Sequence, residues 1–136
     1  RLLGRREPDV YGTDTLEDIN GSLQAEAGGL GVELEFFQSN HEGAILDFIE
    51  EASARVGGFL VNPGAFTHTS VALRDALAGI DLPFVEVHLS KTAAREPFRR
   101  HSYLSDIAEG VVFGFGAQSY VLGLRGLVSR IEQSQP

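Results

Sequence analysis

Glu86 and His88 stand two residues apart in the run Pro83-Phe-Val-Glu-Val-His88. In an extended strand that spacing projects both side chains from one face. A carboxylate so placed can orient an imidazole and support its protonated form, which makes a proton donor, although a structural ion pair uses the same two groups. Other polar residues gather in three stretches: Gln38-Ser-Asn-His-Glu-Gly43, Asn62-Pro-Gly-Ala-Phe-Thr-His-Thr-Ser70 and Arg95-Glu-Pro-Phe-Arg-Arg-His-Ser-Tyr103. The last carries three arginines that could close over an anion. Ten of the 11 cations in the chain are arginine, and Lys91 is the only lysine. Arginine forks match carboxylates and keep their protons, whereas imine chemistry needs a lysine that can lose one, so only Lys91 could carry it.

Several of these residues have plainer readings. The four histidines, His41, His68, His88 and His101, show no metal-ligand spacing, and a single histidine often serves as a hydrogen-bonded structural residue. Asn62-Pro63-Gly64 fits a turn, Asn40 and His41 fit a helix cap, Asp75 fits an exposed helix position and Arg99-Arg100 a solvated face. Gly114-Phe-Gly116 lets backbone approach closely but lacks the third glycine of a dinucleotide fingerprint and the lysine of a P-loop. Neither zinc nor a bound nucleotide is expected from these residues.

Four runs read as strands: 32–38, which partly alternates, and Gly58–Asn62, Pro83–His88 and Gly110–Gly114, which are mostly apolar, bounded by Gly or Pro and expected to be largely buried. Between them lie helical patterns. Leu16, Ile19, Leu23 and Ala27 share a face behind Thr15 and Asp18, a near capping box; Ile45, Leu46, Ile49 and Ala52 form a second face; a third helix is expected over Thr69–Leu77 and a fourth over Gln118–Ile131. Strands alternating with helices imply a parallel sheet covered on both faces. A doubly wound sheet would begin with a strand, and Arg1–Pro8 has neither the apolar run nor the propensities for one. The expectation is a flavodoxin-like, doubly wound α/β sheet of five strands whose first is missing from the chain. In such sheets ligands bind beyond the carboxyl ends of the strands, which is where the polar stretches fall.

The whole is sized for one domain, 1–136. With 43% apolar residues it can build a core without staples. The absence of cysteine excludes disulfides, thiolate nucleophiles and Cys-ligated zinc. A net charge of −8 disfavours a nucleic-acid partner. The longest apolar stretch, Gly110–Leu124, is interrupted by Gln118 and Ser119 and is too short to span a bilayer. Nor do the first dozen residues resemble a secretory signal. A cytoplasmic protein is expected.

Taken together, the blocks resemble those of type II 3-dehydroquinate dehydratases. Their carriers are Leu3–Pro8 with Val10-Tyr-Gly12, Gln38–Gly43, Asn62–Ser70 continuing through Ala72-Leu-Arg-Asp-Ala76, Glu86–Ser90, Arg95–Arg99 and His101-Ser-Tyr103. They occur in the family's order and run nearly end to end. The resemblance implies a flavodoxin-like fold and dehydration of 3-dehydroquinate to 3-dehydroshikimate, by anti elimination through an enolate, without metal or cofactor. It further implies Tyr11 as the base that removes the C2 proton, Arg6 as its cationic partner, His88 as the acid that protonates the leaving C1 hydroxyl, and Glu86 as the orienter of His88. Asn62 and His68 would hold substrate hydroxyls. The backbone amides around Leu89 and Ser90 would grip the carboxylate, and Arg99 would lie across the ligand. Asp75 would reach the site of a neighbouring subunit in a dodecamer built from trimers.

The tyrosine sets the physical demand. A free phenol has a pKa of ~10 and a base working at neutral pH wants one of ~7, a difference worth about 4 kcal/mol. One neighbouring cation supplies roughly one to three of those pH units. A second cation, Arg95, is therefore expected beside Tyr11 when the loop Gly4–Gly12 closes and excludes water.

This sequence departs from the family at two places that bear on chemistry. Family members open with an apolar strand ending in Asn-Gly-Pro-Asn, which has no counterpart here, and Lys91-Thr-Ala-Ala94 stands where Asn followed soon by His is more usual. Ser119, where glycine is common, falls outside the expected chemistry. These departures motivate a different class of function, a flavodoxin-like binding module without catalysis, which would hold a carboxylate ligand and convert nothing. An imine enzyme acting through Lys91 is a third class, distinguished by borohydride trapping of a substrate adduct.

Overall fold

The computed structural model describes residues 15–64, 70–89 and 102–134. Three parallel strands, β1 (Phe59–Val61), β2 (Phe84–His88) and β3 (Gly110–Phe113), lie in the order β1-β2-β3. Phe59 pairs with Phe84 and Val61 with Glu86, while Val85 pairs with Gly110 and His88 with Phe113. Four helices accompany them: α1 (Leu16–Leu30), α2 (Glu42–Ala52), α3 (Val71–Gly79) and α4 (Gln118–Gln133).

Local chemistry explains where the helices start and stop. At the start of α1 the Thr15 hydroxyl accepts from the Asp18 amide at 3.1 Å, and the Asp18 carboxylate accepts from the Thr15 amide at 3.2 Å, the expected capping box. Gly31, at φ 74°, ends it in the left-handed region that favours glycine. His41 occupies the cap position of α2, but its side chain makes no capping bond; instead the Ser39 hydroxyl accepts from the His41 amide at 3.0 Å. Helix α3 starts two residues later than expected because Ser70 is its cap, its hydroxyl accepting from the Leu73 amide at 2.8 Å.

Alternation along β2 divides the core. Phe84 faces Ile49 of α2, Leu73 and Leu77 of α3, and Leu104; Val85 and Val87 face Leu127 of α4. Helix α1 packs beside α4 through Ile19, Leu23, Ala27, Val121, Leu124 and Val128, with Leu89 at the end of β2 closing that cluster. Helices therefore cover both faces of the parallel sheet, as a doubly wound architecture requires. At Gly123 of α4 a Cβ would fall 2.8 Å from Val87 Cγ2 and 2.9 Å from Leu60 Cδ1, so glycine is what allows this helix to lie so close to the sheet.

Two strand expectations need correction. Residues 32–38 join no ladder among the described residues. An extended segment becomes a strand only through a hydrogen-bonded partner, and in the flavodoxin-like order the neighbour of this segment is the first strand; no described residue occupies that place. Val32 and Leu34 still pack on the α1/α4 cluster, and Phe37 stacks on Phe48 at 4.4 Å. Burial of the other strands is also uneven. All five residues of β2 are buried, β1 is half-buried, and β3 alternates, leaving Val111 and Phe113 exposed, because β2 alone has a strand on each side among the described residues.

Candidate active site

The carboxyl end of β2 brings Glu86 and His88 together as their shared parity requires. His88 Nε2 lies 2.5 Å from Glu86 Oε2, and Glu86 is only 1% exposed. An isolated carboxylate at that depth would be costly. Here three side chains satisfy it: besides His88, the Ser105 hydroxyl donates to Oε1 at 2.8 Å and the Ser102 hydroxyl reaches Oε2 at 3.0 Å and Oε1 at 3.2 Å. Burial alone pushes the Glu86 carboxyl up, but the bonds from His88 and Ser105, the charge of protonated His88 and the bond from Ser102 outweigh it and hold the group below the usual carboxylate range. The side chain is thus kept as an anion aimed at an imidazole, whose ring it fixes.

Asn62 lies one residue past β1. Since Val61 is in register with Glu86, that position falls beside the carboxyl end of β2. Its amide nitrogen donates to the Tyr120 hydroxyl at 2.8 Å, and its Oδ1 accepts from the Gly64 amide at 3.2 Å. The turn reading of Asn62-Pro63-Gly64 is therefore realised, with Gly64 at φ 61°, and the same bonds fix the Asn62 amide at the sheet's ligand-binding edge. The glycines of 114–116 serve the same edge. Gly114 and Gly116 have φ values of 95° and 57°, the Gly116 amide donates to the Leu89 carbonyl at 2.8 Å, and the buried Ser119 hydroxyl accepts from the Phe115 amide at 3.0 Å. Leu89 contributes a buried side chain to the core beneath.

Asp75 is not part of this cluster. It sits on α3 between the buried Leu73 and Leu77 and is exposed, with Arg74 beside it turned to Asp106 at 2.5 Å. Tyr11, Arg6, His68, Ser90, Arg95 and Arg99 lie outside the described residues. Among the described residues no group of three or more His, Cys, Asp or Glu side chains is placed to hold a metal ion, and no helix is long and apolar enough to cross a membrane.

Ser102, Ser105 and Tyr120 are the participants that the sequence reading passed over. Ser102 falls within the block His101-Ser-Tyr103, so proximity to that block was a usable signal; Tyr120 lies in an apolar helix and gave none. A shallow depression of about 190 Å³ lined by Val85, Gly110, Val112, Gly123 and Arg130 lies between β3 and α4, at the amino ends of the strands and away from His88. Its position argues against a site there, because parallel sheets bind at the opposite edge.

Residues 1–128 match the family model for class II dehydroquinases. The chain belongs to that family. A 3-dehydroquinate dehydratase of Parasynechococcus marenigrum (strain WH8102) is 56% identical over 133 residues, which are 98% of this chain and 91% of the relative. A catabolic 3-dehydroquinase of Aspergillus clavatus is 59% identical over 119 residues, 88% of this chain and 79% of the relative. Among solved structures, a type II dehydroquinase from Butyrivibrio crossotus DSM 2876 matches with a TM-score of 0.89 at 38% identity, covering 92% of this chain and 88% of that one. The class II dehydroquinase resemblance read from the sequence blocks is borne out, and with it the α/β, flavodoxin-like fold.

Proposed function

We propose that this chain dehydrates 3-dehydroquinate to 3-dehydroshikimate by anti elimination, with Tyr11 as base and His88 as acid. The observation that carries the reading is the buried Glu86–His88 pair at the carboxyl end of the central strand, in a chain of the class II dehydroquinase family. Its Nε2 committed to Glu86, the His88 imidazolium would deliver the Nδ1 proton to the C1 hydroxyl. Tyr11, ionised beside Arg6 and Arg95, would take the C2 proton and leave an enolate. Collapse of the enolate then expels water, and return of the proton from Tyr11 to His88 through solvent resets the enzyme. No metal or cofactor enters these steps.

The remaining roles follow the same reading. Asn62, held by Tyr120 and Gly64, has an N–H to offer a substrate hydroxyl, and His68 a second contact. The backbone amides of Leu89 and Ser90 take the substrate carboxylate, and Arg99 covers it. Asp75, exposed on α3, is suited to a neighbouring subunit's site in a dodecamer built from trimers. The setting proposed is a cytoplasmic shikimate-pathway enzyme formed of one catalytic domain.

The test is direct. Purified protein mixed with 3-dehydroquinate develops the ultraviolet absorption of a conjugated enone, and Tyr11→Phe abolishes it while the far-ultraviolet circular dichroism stays unchanged. Continued turnover by the Tyr11→Phe protein would sink the mechanism. Tight carboxylate binding without conversion by the unsubstituted protein would sink the function.

A further inference from the structure

We propose that Ser102 and Ser105 are positioning residues of this active site, which hold the Glu86 carboxylate and through it the His88 imidazole. The inference rests on the reading of His88 as the acid and adds residues that this reading does not name.

The geometry of Ser102 forces the direction of its hydroxyl. Its oxygen accepts from the Leu104 amide at 3.0 Å and from the Ser105 amide at 3.2 Å. A hydroxyl has two acceptor lone pairs and one hydrogen; with both lone pairs filled by backbone, its hydrogen points at the carboxylate, within 3.0 Å of Oε2 and 3.2 Å of Oε1. Two backbone donors also polarise the O–H and strengthen its donation. Ser105, reached by that same turn, donates to Oε1 at 2.8 Å. Between them Leu104, fully buried, anchors the turn in the α2/α3 core. The turn is thus built on a fixed apolar plug, and its two hydroxyls meet one carboxylate.

The consequence concerns which oxygen does what. Oε2 is occupied by His88 and Ser102, Oε1 by Ser105 and the longer branch of the Ser102 contact. With both oxygens held, the carboxylate plane has no freedom to rotate, and the ring of His88 inherits that orientation. Competing charges among the described residues are engaged elsewhere. The neighbouring strands β1 and β3 carry no titratable side chain. On the α2/α3 face Arg74 binds Asp106 and the Tyr103 carbonyl, and Glu42 of α2 accepts from Ser70. Across the sheet α4 presents Tyr120, bonded to Asn62. Among the described residues the serines are therefore the groups that stabilise the Glu86 anion together with His88.

Ser105 is exposed as a residue, so trimming it to alanine would let water take its place at the carboxylate. The isosteric pair Ser105→Thr and Ser105→Val avoids this, because both fill the space and only the first keeps a hydroxyl. Two readings are made, the titration of the Glu86 carboxyl carbon by NMR, assigned by its loss in Glu86→Gln, and steady-state kinetics. In Ser105→Val the Glu86 titration moves to higher pH, since a donor to the anion is gone, and kcat falls about tenfold with KM within about twofold. Ser105→Thr behaves as the unsubstituted protein in both. An unmoved titration in Ser105→Val, or a shift as large in Ser105→Thr, overturns the proposal. Should Ser105→Val fail to fold, the Glu86 titration in Ser102→Ala decides by the same criterion. The titration needs no substrate, so a protein that binds but never converts 3-dehydroquinate would defeat the functional reading while leaving this test intact.

Discussion

The two faces of β2 are equally buried and chemically opposite. Toward α4 the strand presents Val85 and Val87, 4% and 0% exposed, against a helix brought close by Gly123. Toward α2 and α3 it presents Phe84 and then Glu86 and His88, 3%, 1% and 9% exposed. The apolar face needs only shape. The polar face needs donors for every lone pair it hides, because an unsatisfied buried carboxylate costs several kilocalories and would titrate to its neutral form instead. A fold that retains such a face on its central strand, in a family named for an enzyme, spends stability on holding one charge in one orientation. The apolar face supplies the rigid wall that makes the orientation hold.

The largest effect expected from breaking this contrast is at Glu86. Glu86→Gln keeps the shape and removes the charge, so His88 loses its anionic partner. Turnover of 3-dehydroquinate should fall by roughly 10²–10³-fold, within the range that positioned acid catalysis contributes. The same variant isolates a stability effect. Because the folded carboxyl titrates below the usual range, Glu86 contributes stability above the unfolded carboxylate pKa of about 4.3, and that contribution is lost as pH falls through the folded value. Denaturant midpoints measured from neutral pH down through the carboxylate range should therefore decline less in Glu86→Gln than in the unsubstituted protein. Parallel declines would show that the anion is not held as described.

Next in size is the apolar face. Gly123→Ala places a methyl within 3 Å of Val87 Cγ2 and Leu60 Cδ1, and Val87, with no exposed surface, has nowhere to retreat. Overpacking of this kind costs about 1–3 kcal/mol, offset in part by the gain of about 1 kcal/mol from replacing glycine in a helix interior. A net loss of up to about 2 kcal/mol in equilibrium unfolding is expected. A stabilised Gly123→Ala would show that α4 can move off the sheet at little cost. It would also weaken the contrast, since the wall behind the site would then be soft.

How far the sequence disclosed this arrangement depends on which forces placed each residue. Parity along Pro83–His88 was enough to pair Glu86 with His88, because period-two geometry is local and buried strands tolerate no slip. Capping chemistry disclosed Thr15 and Asp18 for the same reason, and the ordered polar blocks disclosed the family. Ser102 and Ser105 were not disclosed as partners of Glu86, since their approach depends on Leu104 docking in a core assembled from α2, α3 and β2, a contact that no nearest-neighbour pattern encodes. The strand expected at 32–38 shows the converse limit. Its alternation and its phenylalanines are genuine, but a ladder is a property of two segments, and a single segment's pattern cannot supply the second. His41 shows a limit at a cap: its position was legible, yet its side chain makes no capping bond.

The smallest predicted effect sharpens the comparison at the neighbouring strand. Asn62 sits at the end of β1 as His88 sits at the end of β2, but it is neutral and is held by one side chain, Tyr120, and one backbone amide, Gly64. Tyr120→Phe removes the acceptor of the Asn62 N–H and keeps the ring in the α1/α4 cluster. A single hydrogen bond between uncharged groups is worth about 1 kcal/mol net, and the remaining Gly64 bond still fixes one end of the amide. If Asn62 binds a substrate hydroxyl, Tyr120→Phe should raise KM roughly two- to fivefold and leave kcat almost unchanged, the signature of lost uniform binding. A fall in kcat as large as that of Glu86→Gln would instead make the amide part of the reacting array. An unchanged KM would leave Asn62 with the turn alone. The contrast between a charge held by three side chains and an amide held by one would then mark the boundary between residues that move protons and residues that shape the sheet edge.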